Sequence, residues 1–102
     1  MAESLQGEQE RISFFLFINT KSGGGVGTRY LTIPNRKLTY QLGKDTTITI
    51  HFIDLFDTQG REAALEKMRR VQAKVEKRGK GKVTAVVCGG DGTVLWVVSL
   101  VG

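Results

Sequence analysis

Residues 12–18 (ISFFLFI) form a near-continuous apolar run that ends at Asn19. A strand apolar on both sides belongs in a sheet covered on both faces, so this run predicts a central parallel strand. Residues 83–88 (VTAVVC) read the same way and predict a second buried strand. Residues 46–55 (TTITIHFIDL) instead alternate Ile48, Ile50 and Phe52 with Thr47, Thr49 and His51. That period of two predicts a strand with one less apolar face, placed nearer the edge of the sheet. From Arg61 to Arg78 the period changes, with Ala64, Met68, Val71 and Val75 spaced four, three and four apart. This is the stripe of an amphipathic helix, which Gly79 and Gly81 bring to an end. Residues 28–44 carry no clear period, and Tyr30, Leu31 and Ile33 suggest only a short helix that Pro34 stops. Residues 1–11 are polar and aperiodic and read as a flexible leader.

Strands alternating with helices imply an α/β fold, a three-layer sandwich with a mainly parallel sheet. At 102 residues the chain has room for one core, built from residues 12–102. The net charge is +5 and unevenly spread: Lys67 to Lys82 holds eight basic residues against one acid, Glu76. Such a segment favours anionic partners, although a solvated helix face is the plainer reading. The single cysteine, Cys88, reads as a core residue, and His51 as a strand residue rather than a ligand. No signal-peptide pattern is visible, so a cytoplasmic location is expected. The longest apolar stretch, residues 94–101, is interrupted by Ser99 and is far shorter than the roughly 20 residues a spanning helix requires.

Glycine changes the picture most. Seven of the 13 glycines fall in two clusters, Gly23, Gly24, Gly25 and Gly27 after the first strand, and Gly89, Gly90 and Gly92 after the last. Ligands of open parallel sheets sit at the carboxyl ends of the strands, so both loops should share one edge. Unpaired amides there, with no side chains in the way, suit phosphate oxygens. The Walker pattern is not met, because Lys21 and Ser22 precede the glycines, and a G-x-G-x-x-G fingerprint is not met at either loop. Lys21 and Ser22 are candidates for phosphate contacts, or else polar loop residues. Asp91 is a candidate to hold a phosphate-bound cation, or else it or Thr93 caps a helix.

Three segments, in order, resemble the eukaryotic diacylglycerol kinases. They are Asn19-Thr20-Lys21-Ser22-Gly23-Gly24, then Asp54-Leu55-Phe56-Asp57-Thr58-Gln59-Gly60 with Glu62-Ala63-Ala64-Leu65, and finally Gly89 to Trp96 (GGDGTVLW). The Gly-Gly-Asp-Gly signature is also shared by NAD kinases and sphingosine kinases. Thr20 stands where the family usually has proline, and Leu95 where it usually has glycine. The resemblance implies a diacylglycerol kinase/NAD kinase-like fold, with residues 12–102 as the N-terminal, nucleotide-binding part of a catalytic domain. It implies ATP and Mg²⁺ as cofactors, transfer of a phosphoryl group to diacylglycerol, and no nucleic-acid partner. The residues it assigns to the nucleotide are Asn19, Lys21, Ser22, Gly23, Gly24, Gly89, Gly90, Gly92 and Thr93, with Asp91 as catalytic and metal-linked carboxylate. The parent protein would meet its lipid as a peripheral protein at a membrane surface. This chain, lacking a second lobe, would be inactive alone and would self-associate through its apolar residues 93–101. The alternatives are a non-catalytic nucleotide- or phosphate-binding module, or another kinase of the same superfamily.

Overall fold

A computed structural model of the chain describes residues 10–21 and 23–88. Strand β1 (Glu10–Ile18) is followed by two 3₁₀ segments (Gly23–Thr32 and Pro34–Arg36), strands β2 (Lys37–Leu42) and β3 (Thr46–Asp54), helix α1 (Thr58–Arg78) and strand β4 (Lys82–Cys88). The four strands form one sheet in the order β2-β3-β1-β4. β1 runs parallel to both β3 and β4, whereas β2 pairs antiparallel with β3.

Alternation along the strands sends two apolar sets to opposite faces. Phe15 and Phe17 of β1, Ile53 of β3 and Leu55 just beyond it meet Leu65 of α1 in the core, with Ala64, Met68, Val71, Val83 and Val87 packed around them. Full burial of a side chain of this size stabilises by about 1.5–3 kcal/mol, so this cluster fixes α1 on its face of the sheet. On the other face, Phe14, Leu16, Leu38, Ile50 and Phe52 surround a shallow apolar cavity that Tyr30 and Ile33 reach from the 3₁₀ segments. Tyr30 stacks on Phe52, with ring centroids 5.7 Å apart. A Cβ at Gly27 would meet Ile18 Cγ2 at 2.5 Å, so the absence of a side chain lets this segment lie against the end of β1.

Local signals set the limits of α1. Asp57 accepts a hydrogen bond from the Gly60 N–H at 3.1 Å as N-cap, and Gly79, at φ 73°, donates its N–H to the Val75 carbonyl at the other end. Gly81, at φ 99°, passes so close to β1 that a Cβ there would stand 2.6 Å from the Arg11 carbonyl oxygen.

The fold is mixed α/β, and several expectations are corrected. The sheet is mixed rather than mainly parallel, because residues 37–42, for which the sequence suggested no element, form the antiparallel edge strand β2. For the same reason β3 is an inner strand rather than one near the edge: β2 covers its outer side. The first 3₁₀ segment stops at Thr32 and Pro34 opens the second instead of ending a helix; Asn35 and Arg36, at φ 58° and 49°, then turn the chain into β2. A three-layer sandwich is not reached among the described residues, which provide one α-helix on one face and the 3₁₀ segments on the other. The expected self-associating residues 93–101 lie outside the described residues.

Candidate functional site

The parallel strands end level with one another. Ile18 is the register partner of Asp54 on one side and of Cys88 on the other. The ladder continues one step further: the Leu55 N–H donates to the Ile18 carbonyl at 3.0 Å, and the Asn19 N–H donates to the Cys88 carbonyl at 3.1 Å. The second bond joins the first residue of one glycine loop to the residue immediately before Gly89. Thus both loops leave from adjacent strands at one carboxyl edge, where amides past the strand ends are the donors an anion requires. α1 begins at the same edge, directly after Leu55, Phe56 and Asp57.

Asn19 shapes the start of its loop, since its Oδ1 accepts the Lys21 N–H at 2.9 Å in an Asx turn. The turn brings the Lys21 ammonium over the face of Phe56, 4.5 Å from the ring centroid. Phe56 is 43% exposed, so the pair sits at the surface. Among the described residues this ammonium meets a ring face rather than a carboxylate.

The β3–α1 turn supplies further charge. Asp54 Oδ1 accepts the Phe56 N–H at 2.9 Å, Asp57 Oδ2 lies 3.9 Å from Arg36 Nη1, and Arg61 Nη1 donates to the Leu55 carbonyl at 3.0 Å. The Arg36–Asp57 pair is exposed and adds little stability, but it ties the segment before β2 to the start of α1. Both aspartates are thus occupied in holding the turn. No group of three or more His, Cys, Asp and Glu side chains with metal-binding spacing occurs among the described residues.

Of the residues singled out in the sequence, Asn19 and Lys21 stand at this edge, and Gly23 and Gly24 open the 3₁₀ segment that leaves it. Ser22, Gly89, Gly90, Asp91, Gly92 and Thr93 lie outside the described residues. Cys88 is half-buried at the end of an edge strand rather than deep in the core. Asp54, Phe56, Asp57, Arg36 and Arg61 were not singled out as site residues. The signal for the first three was present, because they stand at or just past a strand end as the glycine loops do. Nothing comparable marked Arg36 or Arg61, which arrive from β2's approach and from within α1. No described helix is long and apolar enough to cross a membrane.

The model of the diacylglycerol kinase catalytic domain family matches residues 13–102. Neither a curated protein nor a solved structure gives a significant match.

Proposed function

Because the chain belongs to the diacylglycerol kinase catalytic domain family, whose members are lipid kinases, we propose that it is the nucleotide-binding part of an ATP-dependent kinase acting on diacylglycerol. The observation that carries this reading is the Asn19–Cys88 hydrogen bond, which starts both glycine loops from neighbouring strands. Lys21 then acts as a point charge for phosphate oxygens, and the amides of the two loops act as neutral donors. Asp91 would be the carboxylate that holds a phosphate-bound cation, since a carboxylate beside phosphates is otherwise repelled. Mg²⁺, when bound, supplies charge neutralisation on the phosphates. In the reaction the bond between the γ-phosphorus and the bridging oxygen breaks, the lipid hydroxyl oxygen takes its place on phosphorus, and the hydroxyl proton is released. The products are phosphatidic acid and ADP. The catalytic part of such a protein works at a membrane surface, where its lipid resides.

The reading is tested in the protein that carries this chain with Asp91→Ala and Gly90→Asp, the first removing the cation-linked carboxylate and the second placing bulk and charge in the phosphate loop. Phosphorylation of diacylglycerol should nearly vanish in both while circular dichroism stays unchanged. Turnover within about tenfold of the parent, or roughly 1.4 kcal/mol of barrier, overturns it. Turnover of sphingosine or NAD instead of diacylglycerol would move the protein to another kinase class, and nucleotide binding without any turnover would make it a binding module.

A further inference from the structure

At the opposite end of the sheet, beneath the C-terminal half of α1, lies a cavity of about 330 Å³. Six cations surround it: Arg11 from β1, Lys37 from β2, Lys67, Lys74 and Arg78 from α1, and Lys80 from the turn after the helix. No described Asp or Glu lines it. The cavity runs along the strands from Arg11, seven residues or about 23 Å from Ile18, to His51, three residues or about 10 Å from Asp54, so it opens at the end of the sheet away from the glycine loops.

The placement of the lysines sets them apart from an ordinary solvated helix face. Lys67, Lys74 and Arg78 stand at intervals of seven and four with Val71 between, which puts them along the edge of the stripe that meets the sheet. They therefore flank the buried side of α1 instead of pointing away from it, and the sheet beneath presents hydroxyls. Ser13, buried, and Thr49 are register partners in the floor, and Thr47 Oγ1 is held to Gln41 Oε1 at 3.0 Å. His51 closes the end of the cavity toward the core by stacking on Phe15, with centroids 4.4 Å apart. Burial, with added repulsion from Lys67 and then Lys37, lowers the His51 pKa from 6.5 to about 4. The imidazole is accordingly neutral at pH 7 and able to donate one hydrogen bond. Lys67 and Lys37 already act on His51 across the recess, and an anion entering among these ammonium groups would lower that repulsion.

We propose that this cavity is a binding site for a phosphate-bearing anion, separate from any nucleotide at the glycine loops and independent of the kinase reading. Ammonium groups on the rim supply the attraction, and the Thr49 hydroxyl and the imidazole of the floor supply hydrogen bonds. The ligand is either a free phosphate compound or the headgroup of an acidic phospholipid, since both present the same oxygens.

His51 is the only histidine, so its ring resonances are assigned without ambiguity, and the K67E/K74E pair ties their response to this cavity. The full chain is titrated with inorganic pyrophosphate, and separately with phosphatidylglycerol/phosphatidylcholine vesicles against vesicles of phosphatidylcholine alone. A saturable shift of the His51 ring signals is expected, with its pKa moving up from about 4 as the anion offsets Lys67 and Lys37. The K67E/K74E variant should bind about tenfold more weakly or worse, and K67Q/K74Q should lose affinity in the same direction. K44E/R70E makes the same change in net charge outside the cavity and should stay within about threefold of the parent. Response to pyrophosphate alone identifies a soluble ligand, and response to acidic vesicles alone identifies a headgroup. Absence of any saturable His51 shift with either probe overturns the proposal, as does equal weakening by K44E/R70E, which would show diffuse charge in place of a site.

Discussion

α1 lies over one face of the sheet, yet the two halves of that contact are built from opposite materials. Toward the carboxyl edge, Leu65 meets Phe15, Phe17, Ile53 and Leu55, all at 5% exposure or less. Toward the amino ends of the strands, the same helix looks down on Ser13, Thr47, Thr49 and His51 across a charged recess. Moving four residues back along β1, from Phe17 to Ser13, exchanges a phenyl ring for a hydroxyl on the same face. The helix is thus buried most completely at the end beside the carboxyl edge, with Met68 and Val71 continuing the contact as partly buried residues. Beyond them the helix carries charge over the recess.

This contrast is broken most readily at Leu65. Replacement by alanine leaves a cavity in the packed half and should cost about 2–5 kcal/mol in urea unfolding, whereas Thr49→Val in the open half should change stability by less than about 0.5 kcal/mol. Similar losses from the two would mean that the halves contribute alike. A smaller effect is expected from Asp57→Ala, which removes the N-cap at the more buried end and should cost about 1 kcal/mol. Asp57→Asn keeps an acceptor for the Gly60 N–H and should recover most of that loss.

The smallest effect sharpens the comparison through pH. With the His51 pKa lowered from 6.5 to about 4, the unfolded chain takes up a proton below pH 6.5 that the folded chain refuses until about pH 4. Stability therefore falls as the pH drops through that window and levels below it, as far as His51 is concerned. Carboxylates titrate in part of the same range, so the measurement is the difference between the parent chain and His51→Phe in thermal midpoints at pH 7 and pH 4.5. The variant should lose less on acidification. Equal losses would show that His51 is solvated and its recess open to bulk water.

Much of this contrast is written in the sequence. β1 announces itself by a run too apolar for a half-exposed strand, and α1 by a four-three-four spacing closed by Gly79. The run in β4 located the strand but not its place: β4 is an edge strand of the described sheet with none of its residues buried, where a buried strand was expected. β2 was less legible although its signal exists: Leu38, Tyr40 and Leu42 alternate with Lys37, Thr39 and Gln41. The pattern covers only six residues, follows a proline, and belongs to an edge strand whose Tyr40 and Leu42 stay exposed, so local preference is weak and pairing with β3 decides. At the carboxyl edge, the loops could be placed from strand order alone. The lysine–ring contact could not, because it depends on an Asx turn and on a residue 35 positions further along the chain. The basic segment of α1 was visible as charge, but a list of charges carries no direction. Only the helix's orientation on the sheet shows that Lys67 and Lys74 border a recess.

The bond between the Asn19 amide and the Cys88 carbonyl works as a mechanical gauge. It fixes the roots of the two loops at the separation of adjacent strands, about 4.8 Å, and that spacing cannot widen without unzipping the end of the β1–β4 ladder. The two strand ends therefore behave as one stiff base, and a change in their spacing would register as a loss of the last β1–β4 ladder bond.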